Sequence, residues 1–185
     1  MRPAYVFIDA GYVRRGLEDI EASWQDLDLG ALAAITLRWV GDRWLGDSFG
    51  VSRTFVYDAV PEEAESSTRI VDQWLERNGG QIDVHVRYGR LAGDRASRRR
   101  QVGVDAQLAV DALNFAWIGA YEIAVLVTGD GDFSPVAEAI RQRGRLVGVC
   151  AFRNSLSDEL RQQADRVGYL PDDPNAWSAW KLPTL

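Results

Sequence analysis

The chain has 185 residues, with 27 acidic and 21 basic side chains and a formal net charge of −6, a length that suits one domain around one substantial core. That charge argues against a protein that coats nucleic acid, but not against a nuclease whose acids gather round a metal. One cysteine, Cys150, excludes an internal disulfide framework, and with a single histidine, His85, it excludes the usual kind of zinc site.

Ala4 to Ile8 is an apolar run ending at Asp9, which reads as a buried strand with a carboxylate at its exit. Gly11 follows, then a short helix over about residues 12–20 that Asp9 is placed to cap. Arg14 and Arg15 lie in its first turns, where the helix dipole disfavours cations, so either an anionic partner or a solvated face accounts for them. Leu29 to Val40 has helical apolar spacing. Trp24, Trp39 and Trp44 add large apolar surface, more typical of cores and interfaces than of base stacking. Residues 41–50 read as a loop. Arg53 to Val60 reads as a second strand with Asp58 near its end. Pro61 then opens a helix that Asn78-Gly79-Gly80 closes. Ile82 to Tyr88 alternates apolar and polar residues, as a third strand at or near a sheet edge does.

The one basic block follows. Between Arg87 and Arg100 six arginines (87, 90, 95, 98, 99, 100) face one acid, Asp94. Gly89, Gly93 and Ser97 make the block loop-like, fit either to touch a phosphate backbone or to stay solvated. It leads into Gly103-Val104-Asp105-Ala106-Gln107-Leu108-Ala109-Val110-Asp111, the start of a long helix to about Trp117. Asp105 opens that helix. Asp111 lies roughly 120° round the axis and about 9 Å along it, so the two acids cannot face one way, and Asp105 is the better placed. Asp111 then needs an arginine, a backbone amide or a supporting role.

Glu122 to Thr128 is the fourth strand. It runs into Thr128-Gly129-Asp130-Gly131-Asp132-Phe133, where two glycines permit a sharp turn that thrusts two carboxylates outward. In an open α/β sheet that edge is where ligands bind. The structural alternative is that Asp132 caps the next helix and Asp130 shapes the turn. A helix over 133–143, a fifth strand over 145–152, a helix from Leu156 to about Arg166 capped at Asn154-Ser155, and a short strand Val167–Leu170 complete the pattern. Residues 171–185 read as a tail laid on the body. No apolar run approaches the ~20 residues of a membrane span, and the N-terminal run is too short for a signal peptide, so a cytoplasmic protein is expected.

Strands alternating with helices predict an α/β fold, a three-layer α/β/α sandwich around a mainly parallel sheet of about five to six strands. Asp9, Asp130 and Asp132 then share the strand-exit edge, and Asp105 joins them if the arginine loop folds back. Each acid alone can serve as a helix cap. Together they repel by several kcal/mol unless a cation relieves them. Oxygen ligands without His or Cys select Mg²⁺ or Mn²⁺, and arginines beside such an ion make phosphodiester hydrolysis the natural chemistry. Neither GxxxxGK[ST] nor GxGxxG stands at a strand–helix turn, so nucleotide cofactors are not expected.

Three blocks carry a family resemblance: Val6-Phe7-Ile8-Asp9-Ala10-Gly11-Tyr12-Val13, Gly103 to Asp111, and Val127-Thr128-Gly129-Asp130-Gly131-Asp132-Phe133-Ser134-Pro135. They resemble the signature blocks of the NYN domain, in its bacterial LabA-like branch, within the PIN-like nuclease superfamily. The resemblance spans roughly residues 4–170, which makes 1–170 the domain and 171–185 a tail packed on it. It implies a PIN-like fold and metal-dependent ribonuclease activity on RNA. By motif position Asp9, Asp105, Asp130 and Asp132 would be the catalytic, metal-binding acids, with Asp111 and Thr128 supporting them. Arg14, Arg15, Arg95, Arg98, Arg99 and Arg100 are the candidate RNA contacts. Two positions depart from the pattern: Gly11-Tyr12 stands where many relatives carry Asn, and Val102 where many carry Lys. The alternatives are a non-catalytic NYN module that binds RNA or a regulatory protein, and a small-molecule phosphohydrolase. An aspartyl-phosphate enzyme would need an acid two residues after Asp9, where Gly11 stands. Residues 24–50 and the tail are the candidate surfaces for a second copy or a protein partner.

Overall fold

The apolar run that ends at Asp9 is strand β1 (Arg2–Asp9), and it lies at the centre of the sheet. The computed structural model describes residues 2–23, 27–41, 49–61, 84–92 and 100–180, with the backbone alone described at 29, 41, 59–61, 84–92, 100–102 and 178–180. Trp24, Trp44, the helix expected after Pro61, and Arg95, Arg98 and Arg99 lie outside the described residues. After β1 come helices α1 (Ala10–Asp19) and α2 (Leu29–Gly41), then strands β2 (Phe49–Pro61), β3 (Val84–Ala92) and β4 (Arg100–Val102). Helix α3 (Val104–Trp117), strand β5 (Ile123–Val127), helix α4 (Ser134–Gln142), strand β6 (Leu146–Ala151), helix α5 (Asp158–Gln163) and strand β7 (Arg166–Tyr169) follow. The sheet order is β4-β3-β2-β1-β5-β6-β7.

All neighbouring strands are parallel except β3 and β4. The expected five to six strands are thus six parallel ones, and the seventh, β4, is an addition the sequence reading treats as loop. Its composition is that of a loop, but the edge of β3 offers unpaired backbone groups, and Arg100 to Val102 fill them opposite Ala92 to Arg90. The fold is a three-layer sandwich. Helices α1 and α2 cover one face of the sheet, and α3, α4 and α5 pack side by side on the other.

Two features position the site. The chain leaves β1 toward β2 and leaves β5 toward β6, in opposite directions, so the gap between their exits is the switch point at which α/β sheets bind ligands. The second feature is an overhang. Asp9 pairs with Tyr57, and Tyr57 with Arg87, yet β2 runs on to Pro61 and β3 to Ala92. At ~3.3 Å per residue the β3–β4 hairpin stands about 15 Å above the level of Asp9. At its return Gly103 adopts φ 85°, a left-handed conformation that favours glycine, and turns the chain into α3. Helix α3 therefore starts above the strand-exit edge.

The core is aromatic on the α3 side. Phe7 and Phe55 stack at 5.4 Å, Phe55 and Phe115 at 5.0 Å, and Tyr5 meets the edge of Phe115 at 5.3 Å. The buried Tyr121 hydroxyl donates to Ala112 O at 2.7 Å, which ties α3 to the start of β5. On the other face α2 lies close against β6: a Cβ on Gly148 would come within 2.8 Å of Val40. After β7, Trp177 is buried, donates from Nε1 to Pro171 O at 3.0 Å, and packs its ring 6.1 Å from Phe152.

Candidate functional site

Asp9 ends β1 and caps α1. Its backbone is extended (φ −75°, ψ 97°), and Oδ1 accepts the Tyr12 N–H at 2.9 Å. Its other oxygen, Oδ2, accepts from the Thr128 hydroxyl at 3.3 Å. Thr128, fully buried, also accepts the Asp130 N–H at 3.3 Å, so one hydroxyl links the acids of β1 and β5. Asp9 itself is only 3% exposed. Burial pushes its carboxyl up from 3.8 to about 6 against the pull of the Tyr12 amide and Arg15, and the charge of Asp105 pushes the same way as burial.

The β5 exit uses the same device nearer the surface. Asp130 is exposed and extended (φ −72°, ψ 127°), and its Oδ1 accepts the Asp132 N–H at 3.0 Å, capping the single 3₁₀ turn Gly131–Phe133 that opens α4. The expected roles are exchanged: Asp130 is the cap and Asp132 stands in the capped turn. Among the described residues the Asp132 and Asp105 carboxylates accept no hydrogen bond.

Asp105 stands in the first turn of α3, behind Gly103 and the buried Val104. Its carboxyl is raised by burial, then by Asp130, with Asp132 adding and Arg15 opposing. Asp105 thus feels the acids of the β5 exit and in turn acts on Asp9. The four acids form one electrostatic group, and the overhanging hairpin is what brings Asp105 to it.

The other sequence candidates divide. Asp111 lies farther down α3, where Oδ2 accepts the Tyr57 hydroxyl at 2.9 Å. Arg14 pairs with the buried Asp58 in β2, one residue past the level of Asp9. Arg15 is exposed, and its charge acts on both Asp9 and Asp105. Arg100 begins β4.

In the sequence Tyr12 stands out only as a family departure and Ser155 only as a helix cap; neither is placed at the site by the sequence. The Tyr12 hydroxyl accepts the Phe152 N–H at 2.8 Å and lies 2.7 Å from Ser155 Oγ. Gly129 passes so close that a Cβ there would fall 2.3 Å from Ser155 O and 2.7 Å from the Tyr12 hydroxyl. Ser157 N donates to Gly129 O at 2.9 Å. The cap of α5 is Ser157, whose Oγ accepts the Leu160 N–H at 3.1 Å, and not Asn154-Ser155. Ser155 is committed to Tyr12 instead. Gly129 was the available signal, since a glycine beside an acid marks close backbone approach as well as a turn.

Among the described residues, no group of three or more His, Cys, Asp or Glu side chains forms a metal-holding cluster. The donor chemistry nonetheless suits a hard divalent cation. All four acids offer oxygen only, and two of them, Asp9 and Asp105, are held above the usual carboxylate range by burial and by each other's neighbours, a condition a cation relieves. Among the described residues no helix is long and apolar enough to cross a membrane.

A family model described as the NYN domain matches residues 3–171. No curated protein sequence matches the chain. Among solved structures the chain is similar to a protein of unknown function, VPA0982, from Vibrio parahaemolyticus RIMD 2210633, with 19% identity, a TM-score of 0.64, and coverage of 93% of this chain and 94% of that one. That likeness is one of fold. Acinetobacter baumannii MurG aligns at 14% identity and a TM-score of 0.45, over 94% of this chain and 43% of that one.

Proposed function

The chain belongs to the NYN domain family, within the PIN-like nuclease superfamily, and on that premise we propose that it is a divalent-metal-dependent ribonuclease. The observation that carries the reading is the electrostatic group of Asp9, Asp105, Asp130 and Asp132, drawn from three separate elements to the switch point between β1 and β5. Structural caps explain two of these acids. They do not explain Asp105, which caps nothing and carries a raised carboxyl pKa.

In this reading the four aspartates hold a Mg²⁺ or Mn²⁺ ion. When bound, such an ion supplies a Lewis acid for a phosphoryl oxygen and makes nearby water more acidic. The chain's own groups do the rest. The Tyr12 amide and the Thr128 hydroxyl fix the orientation of the Asp9 carboxylate, and Thr128 keeps it in register with the Asp130 turn. Arg15, beside Asp9 and Asp105, is the cation placed to offset the repulsion between these acids and an incoming phosphate. Arg14, paired with Asp58, anchors α1 to β2. The hairpin that carries Arg87, Arg90 and Arg100 is the candidate wall along which an RNA backbone runs.

The test is cleavage of end-labelled single-stranded and structured RNAs in Mn²⁺, Mg²⁺ or EDTA, beside Asp130→Asn. Cleavage that needs the metal and falls at least about 100-fold in a folded variant is expected. Equal cleavage by the variant overturns this site. One observation favours a second reading, a non-catalytic module that binds RNA or a protein: the described acids do not form a metal-holding cluster. RNA binding without turnover in any divalent metal would select it.

A further inference from the structure

Three strand exits meet at the Tyr12 hydroxyl. Tyr12 follows Asp9 on α1, its oxygen accepts the amide of Phe152 just past β6, and it lies against Gly129 just past β5. The side chain is 7% exposed. The direction of its protons follows from chemistry. An amide N–H can only donate, so Phe152 fills one lone pair of the phenol oxygen. The phenol's own proton then needs an acceptor, because leaving a buried hydroxyl proton unpaired is costly. Among the described residues Ser155 Oγ, at 2.7 Å, is the acceptor in reach. The relay therefore runs from Phe152 N–H to Tyr12 O–H to Ser155 Oγ, and it leaves the Ser155 hydrogen for another partner.

That hydrogen sits at the rim of the site. Ser155 is exposed, and its carbonyl packs on Gly129, next in sequence to Asp130. Its loop is pinned by Ser155 N to Phe152 O at 3.2 Å and by Ser157 N to Gly129 O at 2.9 Å. A neutral donor held here can bind a phosphate oxygen without adding charge to an acidic rim. We propose that Ser155 is a substrate-contact residue whose hydroxyl donates to a backbone phosphate oxygen of RNA beside the acids, and that Tyr12 is the positioning residue that aims it. The proposal rests on the reading of the site as one that takes RNA.

The experiment is steady-state cleavage of a labelled single-stranded RNA, with binding of the same RNA by fluorescence anisotropy, for wild type, Ser155→Ala, Ser155→Thr, Tyr12→Phe and the Ser155→Ala/Tyr12→Phe double variant. Ser155→Ala is expected to raise KM and Kd about tenfold with kcat within about twofold, the effect of losing one hydrogen bond to a charged group. Ser155→Thr keeps the hydroxyl and stays within about threefold. Tyr12→Phe raises KM by a similar factor, and the double variant is no worse than either single one, because the two hydroxyls act as a unit. If wild type cleaves or binds RNA and Ser155→Ala does so equally well, the contact is wrong while the function stands. Effects of the two single variants that multiply in the double overturn the relay. Wild type that binds without cleaving ends the nuclease reading but leaves Kd to judge the contact. Wild type that does neither overturns both. Ser155→Ala leaves the buried Tyr12 hydroxyl proton without its acceptor and is expected to melt below wild type, whereas the double variant, which removes both hydroxyls, recovers part of that loss, so KM and Kd are compared at a temperature where every variant is folded.

Discussion

The β1 and β5 exits are built alike and behave differently. At each, a buried parallel strand leads to an extended aspartate, at the strand's last residue in β1 and three residues past it in β5, whose carboxylate accepts the amide of the turn that follows, Tyr12 at one and Asp132 at the other. Yet Asp9 is 3% exposed and carries a carboxyl raised to about 6, whereas Asp130 stands in the open. The local motif is the same, so the difference comes from what lies above it. Asp9 sits beneath the start of α3 and beside Thr128, while Asp130 lies on the rim. At Asp9 burial raises the carboxyl even against the pull of the cap amide.

The comparison can be broken first with the acids themselves. Replacing Asp9 by Asn keeps the cap and removes a buried charge, and Asp130→Asn removes an exposed one. The folded carboxyl of Asp9 titrates at about 6 against 3.8 for an ordinary aspartate. A raised acid favours the folded state while protonated and withdraws that stability as pH climbs through about 6. Asp9→Asn is therefore expected to be more stable than wild type at pH 7, by up to about 3 kcal/mol. The advantage vanishes below about pH 4. Asp130→Asn should change stability by less than about 0.5 kcal/mol at either pH. Urea melts at pH 4 and pH 7.5, without metal, check both. A flat difference between wild type and Asp9→Asn would show that Asp9 is not buried as an acid. Adding Mn²⁺ or Mg²⁺ should raise the melting temperature of wild type more than that of either variant, and EDTA should reverse the rise.

A smaller effect tests the close packing at the β5 exit. Gly129→Ala places a methyl 2.3 Å from the Ser155 carbonyl oxygen, a backbone atom that cannot swing aside, so the 152–157 loop must move. A loss of about 1–3 kcal/mol is expected, with weaker cleavage even in the fraction that is folded. Melting and cleavage measured on the same preparation separate the two. Ser157→Ala, which removes the α5 cap, should cost about 1 kcal/mol. Unchanged RNA cleavage by that variant would show that the loop's contribution comes from Ser155 and not from the helix behind it.

Much of this was legible in the sequence, for local reasons. Apolar runs ending in Asp9 and before Asp130, each followed by helical spacing, give the parallel strands and the edge at which both acids emerge. What the sequence reading left open depends on distances along paired strands. That Asp105 reaches the edge follows from β3 running to Ala92 and β4 returning only to Val102, a register no residue type encodes. Tyr57, which donates to Asp111, lies on a strand far away in sequence, and the Tyr12–Ser155 pair spans nearly the whole domain. Between two serines of Ser155-Leu156-Ser157, helix propensity could not choose the cap. The tyrosine hydroxyl that occupies Ser155 chose it.

The central place of β1 also sets the order in which the molecule can be completed. It is synthesised before both strands it pairs with, and its partner on one side begins only at Ile123. At ~5–20 residues per second a ribosome needs roughly 6–24 s to reach that strand, and throughout that time the apolar segment from Ala4 to Ile8 has an open edge in the nascent chain. An open strand edge is a template for pairing with a neighbouring chain. The acids, split between the two ends of that wait, come together only when the second strand docks.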